Sequence, residues 1–213
     1  MKRRAIFRLS GAAAATAVLP RFAIGQSNVA STLKFIPQDN LTSLDPVWTT
    51  ASVTANHAYA VYDTLYAVNG KLEAKPQMAE GHTVSDNGRV YLIKLREGLT
   101  FHDGEPVRAQ DCAPSLARWA ARDTMGQTLA AFVDTWGVQD DRTLKITLKS
   151  PFPLLIDALA KPEPNQPFMM PERIAKTNPM QQIKETVGSG PFRHDEGFVF
   201  LRLGQGIDQQ GER

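Results

Sequence analysis

The clearest pattern of apolar and polar positions lies near the middle of the chain. Tyr91, Ile93 and Leu95 fall on one face of an extended segment, and Lys94 and Arg96 fall on the other. This period of two is typical of a strand with one buried face and one solvated face. The pattern therefore predicts a half-buried strand over this segment.

A turn signal lies directly before this strand. Asn87-Gly88 favours a tight two-residue turn, because such a turn needs positive φ at both central positions. The segment before it, His82–Ser85, is the expected partner strand. The sequence thus predicts an antiparallel hairpin here.

A second one-sided strand follows further along the chain. Leu144, Ile146 and Leu148 alternate with polar residues, which again predicts one buried face. Phe132–Val138 is a candidate partner strand, and the turn Gln139–Thr143 joins the two. We expect both hairpins to pack their apolar faces into the core.

Helical spacing appears before and after these strands. In Ala51–Tyr62, the residues Val53, His57 and Val61 share one helical face. Shorter segments complete the pattern: helices at Pro151–Ala160 and Pro171–Lys176, with strands at Thr32–Ile36 and Asp63–Val68. Strands and helices mix without a regular βαβ alternation, which predicts a mixed α/β (α+β) fold.

A turn and a helix start follow the first hairpin. Phe101–Gly104 (FHDG) predicts a turn, with Gly104 free to take positive φ. Asp111 is the expected N-cap of the next helix, because its side chain can accept from an unpaired backbone N–H. Pro114 then falls in the first turn, where its missing N–H costs little.

The first 25 residues have the pattern of an export signal. Arg3-Arg4 is a twin-arginine pair, the run Gly11–Leu19 is weakly apolar, and Ala23–Gly25 offers small residues for cleavage before Gln26. An ordinary secretion signal is the alternative. The apolar run is shorter than the roughly 20 residues needed to span a membrane, so we expect export to the periplasm without an anchor.

Removing this signal changes the charge. The whole chain carries +2, and its first 25 residues hold five basic and no acidic residues, which leaves −3 on the remainder. The basic sequence pI of about 8.7 therefore comes from the signal. A nucleic-acid partner is not expected.

Little in the sequence suggests catalysis. It has no HExxH, GxSxG, GxxxxGK or CxxC spacing. His102 and Asp103 form a conceivable acid–base pair, but adjacent residues of a tight turn point different ways. A histidine on a helix face, such as His57, is more often a core residue than a catalytic one. We expect no enzyme activity, no cofactor and no metal site.

Four segments, in order, resemble one protein family. They are Leu44–Pro46, Val61–Leu65, Pro76–Asp111 and Gly188–Phe192, and together they extend over Leu33–Phe192. The chain resembles the extracytoplasmic substrate-binding proteins of ABC importers, in the branch for dipeptides, oligopeptides and nickel (family 5). Each segment alone is a weak signal, and their order and spacing make it strong.

The resemblance implies a periplasmic binding protein-like fold (class II, cluster C) with part of the first lobe and a satellite domain. It divides the chain into a signal (1–25), the start of lobe I (26–44), the satellite domain (45–171), a return to lobe I (172–196) and an atypical tail (197–213). The family has Thr where this chain has Arg108, and Pro114 is unusual, so we expect the helix there to start late. The missing second lobe and the loss of pattern after Phe192 suggest a truncated or frameshifted product.

The segment after Leu-Asp-Pro lines the solute cleft in this family. By resemblance, the ligand-binding candidates are Trp48, Thr49, Thr50, Ala51 and Ser52. The indole can stack on a ligand, and the hydroxyls can donate hydrogen bonds. The alternative is that one of the three hydroxyls simply caps the helix that follows.

The resemblance also implies a function and partners. We expect an extracytoplasmic solute-binding component that takes a short peptide or related solute to the membrane permease of an ABC importer, as a monomer. Two alternatives remain: a sensory or degenerate binding module, and a hydrolase.

Overall fold

The computed structural model describes residues 35–195 and the backbone of residues 200–203. The elements described here all lie in the compact unit Pro37–Arg213. Its strands are β1 (Tyr66–Val68), β2 (Ala74–Pro76), β3 (Ala79–Ser85), β4 (Val90–Leu95), β5 (Val133–Asp140), β6 (Thr143–Leu148), β7 (Phe192–Asp195) and β8 (Phe200–Leu203). Its helices are α1 (Ser52–Val61), α2 (Ala109–Ala120), α3 (Thr124–Phe132), α4 (Leu155–Leu159) and α5 (Glu172–Ala175).

The central element is an antiparallel sheet of four strands in the order β3-β4-β6-β5. Both predicted one-sided strands are confirmed within it. Tyr91, Ile93 and Leu95 of β4 are buried, and so are Leu144 and Ile146 of β6. Two small hairpins, β1-β2 and β7-β8, lie outside this sheet.

Within the part of the chain that the structure describes, the sheet and α2 bury the larger of two apolar clusters. Cys112, Leu116 and Trp119 of α2 lie in the same cluster as the buried faces of β4 and β6. The smaller cluster joins α1 to α5 and includes Val61 and Phe168. The domain boundaries given above stay a prediction.

The β3-β4 hairpin is confirmed, but the prediction of a two-residue turn is wrong. Ser85 pairs with Val90, so four residues form the loop. Positive φ occurs at Asp86 (50°), Asn87 (51°) and Gly88 (85°). Asp and Asn tolerate this conformation better than most residues, and the Arg89 guanidinium bonds the Asp86 carboxylate at 2.7 Å. The loop is therefore longer than the Asn-Gly signal predicts.

The predicted start of α2 is also wrong. The helix begins at Ala109 with Arg108 as its N-cap, so Pro114 lies in the helix interior. Asp111 is the third helical residue, and its carboxylate accepts the Arg108 N–H at 2.8 Å and the Glu172 N–H at 2.7 Å. The Asp111 carboxylate thus accepts the N–H of the N-cap residue Arg108 from the third position of the helix, as in a capping box. Asp111 therefore stabilises the start of α2 without being its N-cap.

The remaining predictions have mixed outcomes. The helices near 51–62, 151–160 and 171–176 are confirmed in shorter form. Of the predicted strand Thr32–Ile36, Phe35 and Ile36 are not in a strand, and the rest lies outside the described residues. The signal peptide also lies outside them, as does the tail apart from β8. Within the described residues no helix is long and apolar enough to cross a membrane.

Candidate functional site

A buried carboxylate fixes the chain just before the predicted ligand-binding segment. Asp45 accepts both a short bond from Arg118 (2.6 Å) and the backbone N–H groups of Val47 and Ile183 (3.0 and 3.1 Å). Asp45 and Arg118 are both almost completely buried. Asp45 is therefore occupied within the protein, and its side chain serves to position the residues that follow.

Trp48 lies under a cation. The guanidinium carbon of Arg122 is 4.9 Å from the centre of the Trp48 ring, which is within cation–π range. The same side chain donates to the Trp48 carbonyl at 3.1 Å and to the Met180 sulfur at 3.3 Å. Both Trp48 and Arg122 are half-buried, so the pair remains accessible to solvent.

The rest of the predicted segment is open to solvent. Thr50, Ala51 and Ser52 are exposed, and Thr49 is half-buried. The Thr49 hydroxyl accepts the Ala51 N–H at 3.2 Å. The structure thus brings Trp48 and Thr49 into fixed positions at the start of α1 and leaves the next three side chains free.

The alternative assignment of these hydroxyls as helix caps is wrong. Ala51 is the N-cap of α1, and no side chain caps this helix. The Ala51 N–H donates to the Thr49 hydroxyl and so orders the N-cap residue itself, whereas a capping side chain would accept the N–H of the second or third helical residue. The hydroxyls of Thr50 and Ser52 have no hydrogen-bond partner among the described residues.

A second polar pair joins α1 to β7. The His57 Nε2 and His194 Nδ1 atoms are 3.2 Å apart, and the rings meet edge to face. Burial, followed by the proximity of His194, lowers the pKa of His57 to about 4. The imidazole of His57 is therefore neutral at physiological pH, as expected for a core residue.

The Gly188–Phe192 segment is clamped between α1 and the FHDG turn. Gly190 donates its N–H to the Val61 carbonyl at 2.9 Å. The His102 Nε2–H group donates to the Gly190 carbonyl at 2.8 Å, and Nδ1 accepts the Gly188 N–H at 3.4 Å. Two segments that carried the resemblance are thus held together by the single imidazole of His102.

The conceivable His102–Asp103 acid–base pair does not form. The ring of His102 is bonded to the glycine segment on both sides. The carboxylate of Asp103 instead binds Arg173 at 2.8 Å and the Glu105 N–H at 3.1 Å. Over residues 35–195, no group of three or more His, Cys, Asp or Glu side chains is arranged to hold a metal ion.

The sequence over residues 73–199 matches the family model described as bacterial extracellular solute-binding proteins, family 5 Middle. This match covers more than half of the chain. The chain belongs to this family. The family resemblance drawn from the four segments is therefore confirmed.

Relatives and solved structures agree with the family. The chain is 39% identical over 199 residues to a probable peptide ABC transporter periplasmic-binding protein of Sinorhizobium fredii, covering 92% of this chain and 37% of the relative. It is 32% identical over 178 residues to a glutathione-binding protein of Salmonella typhi, covering 81% and 34%. NikA of Brucella suis, solved with Fe(III)-EDTA, is 25% identical with a TM-score of 0.66, covering 79% and 34%.

The structural likeness confirms the predicted mixed α/β, periplasmic binding protein-like fold. The chain spans about a third of the length of these relatives. The described part of the molecule therefore corresponds to one portion of a larger family architecture.

Sequence reasoning missed Arg122, the residue that contacts Trp48. The two are 74 positions apart, and no local pattern links them. The only local signal is the position of Arg122 directly before the Asp123 N-cap of α3, a helix that the sequence reading also missed.

Proposed function

We propose that this chain is part of the extracytoplasmic solute-binding component of an ABC importer. The component binds short peptides or a related solute in the periplasm and delivers them to a membrane permease. The observation that carries this proposal is family membership over residues 73–199. The two relatives described above are named for a peptide transporter and for glutathione binding, and glutathione is itself a small peptide.

The local geometry supports a solute-contacting role for Trp48–Ser52. A half-buried aromatic ring lies beside exposed hydroxyl groups at the uncapped start of a helix. An extended peptide is bound mainly through its backbone N–H and C=O groups, so it needs hydrogen-bonding groups together with an aromatic surface for packing. Trp48, Thr49, Thr50, Ala51 and Ser52 offer these groups in one continuous segment.

A substitution at Trp48 tests this role. Equilibrium dialysis against a tripeptide library, with mass spectrometry of the retained peptides, should show saturable binding to the wild-type chain. Trp48→Ala should weaken retention on the order of tenfold, because one aromatic anchor often supplies this much of the binding free energy.

The matched control is Trp136→Ala. Trp136 is also half-buried but lies on β5, at the edge of the sheet. This variant should retain peptides as the wild type does, with circular dichroism verifying that both variants remain folded. An equal loss of peptide retention in both variants would contradict the assignment of Trp48 as a solute contact. If the wild type retained no peptide, the proposed peptide-binding function would be contradicted.

A further inference from the structure

The sequence contains two Asn-Gly dipeptides, Asn69-Gly70 and Asn87-Gly88. In such a pair the glycine nitrogen can attack the asparagine side chain, because glycine has no Cβ to obstruct the approach and permits unusual backbone conformations. The two local sequences are closely similar, since Lys71 follows one pair and Arg89 follows the other. A difference in reactivity within the folded protein therefore has to come from the structure.

The side chain of Asn69 is held by three hydrogen bonds. Its Oδ1 atom accepts the N–H groups of Lys71 at 2.9 Å and Glu73 at 3.0 Å, and its Nδ2 atom donates to the Glu73 carboxylate at 2.9 Å. Asn69 is also half-buried. Ring closure onto the Gly70 nitrogen would disrupt these hydrogen bonds, so the turn protects Asn69.

The side chain of Asn87 has no such restraint. It is exposed at the tip of the β3-β4 loop and makes no hydrogen bond to any described residue. The backbone of Asn87 has φ 51° and ψ 40°, which directs the Gly88 nitrogen away from the Asn87 side chain, so ring closure needs a rotation about the Cα–C bond. This rotation breaks no side-chain hydrogen bond of Asn87, and exposed loops open locally at low free energy.

We propose that Asn87 is a site of spontaneous deamidation and isoaspartate formation, and that Asn69 is not. The Gly88 nitrogen loses its proton to hydroxide and forms a bond to the Asn87 Cγ atom. The side-chain amide nitrogen takes a proton from water and leaves as ammonia, which gives a cyclic imide. Water then adds to one imide carbonyl and the C–N bond at that carbonyl breaks, with no oxidation or reduction. Breakage at Cγ gives aspartate, and breakage at the backbone carbonyl gives isoaspartate.

The two products have different effects on the hairpin. Both place a new carboxylate beside Asp86, whose ion-pair partner is Arg89 at 2.7 Å. Aspartate tolerates the left-handed conformation much as asparagine does, so this product fits the loop. Isoaspartate lengthens the backbone between the paired residues Ser85 and Val90 and should distort the end of the hairpin. This proposal does not depend on the proposed peptide-binding function.

The test compares the two dipeptides in one folded chain. The chain is incubated at mildly alkaline pH in heavy-oxygen water, so that only conversion during the incubation introduces the label. Trypsin cleaves after Lys71 and Arg89, which places the two sites in different peptides for mass spectrometry. Asn87 should convert about tenfold faster than Asn69, the ratio expected when ring closure at Asn69 must first break hydrogen bonds of ordinary strength. Equal rates, or a faster conversion of Asn69, would overturn the proposal.

Unfolding and one substitution separate structure from sequence. In urea both sites should convert at similar rates, because their neighbours are alike, and a preference for Asn87 that persists in urea would overturn the structural explanation. Glu73→Ala removes the acceptor of the Asn69 Nδ2 group. This variant should accelerate the conversion of Asn69 severalfold and leave that of Asn87 unchanged. An unchanged rate at Asn69 would contradict its protection by the turn.

Discussion

At the scale of single residues, the segment 45–52 begins with a buried structural carboxylate and continues with side chains that solvent can reach. Asp45 is fully engaged with Arg118 and two backbone N–H groups, whereas Trp48 and the hydroxyls after it face solvent at least in part. A buried carboxylate with a cationic partner is expensive to expose or to leave unpaired. Asp45 lies directly before the exposed residues, so its hydrogen bonds fix the conformation of this short loop.

His57 gives a prediction about pH. The unfolded imidazole takes up its proton near the ordinary pKa of 6.5, and the folded one only near 4. Between these pH values the unfolded state binds more protons, so the stability contributed by His57 is complete above pH 6.5 and decreases as pH falls to 4. The expected loss is on the order of 3 kcal/mol.

Urea denaturation over this pH range measures the effect. His57→Leu should flatten the dependence of the free energy of unfolding on pH. A wild-type slope that survives His57→Leu would show that other groups cause the acid sensitivity.

At the scale of elements, the chain shows which patterns the sequence alone can resolve. The strands β4 and β6 were predictable because each has one solvent-exposed and one buried face. Helix α1 was predictable because Val53, His57 and Val61 share one buried face. Helix α3 also has a readable signal, since Asp123 caps it by accepting the Gly126 N–H at 2.8 Å. That signal was missed.

Other features depend on contacts distant in sequence. The position of Asp111 inside α2 depends partly on its bond to Glu172, 61 residues away. The Trp48–Arg122 pair joins the loop before α1 to the connection between α2 and α3. Such contacts arise only when elements pack together, so residue patterns within one element do not predict them.

Packing of the glycine segment against α1 gives a prediction at this scale. A Cβ atom at Gly188 would lie 2.0 Å from the Val61 carbonyl oxygen, too close without moving the backbone. Gly188→Ala should therefore lower the free energy of unfolding by about 1–3 kcal/mol, the range for overpacked sites. Urea denaturation at neutral pH is the measurement.

The control uses a glycine in open space. A Cβ at Gly70 would have no atom within 4 Å, so Gly70→Ala should be neutral or slightly stabilising. Similar losses at both positions would contradict the close contact between the glycine segment and α1.

At the scale of the whole molecule, the chain is one portion of a family architecture. It spans about a third of the length of its relatives, and the described residues carry the candidate site on one surface segment. Enclosure of a ligand supplies much of the affinity of a binding site. Weak peptide binding by this portion alone is therefore compatible with the proposed function.

Tryptophan indole signals provide the most direct test of the central claim, that Trp48–Ser52 contacts a peptide solute. The three tryptophans of the chain each give one indole N–H signal in a nitrogen-15 NMR spectrum. Trp119 is an internal reference, because its indole is buried and donates to the Asn165 carbonyl at 2.7 Å. Titration with the tripeptide library should shift the Trp48 signal saturably and leave the Trp119 and Trp136 signals unchanged. A bound peptide that leaves Trp48 unshifted, or that shifts Trp136 instead, would contradict the account.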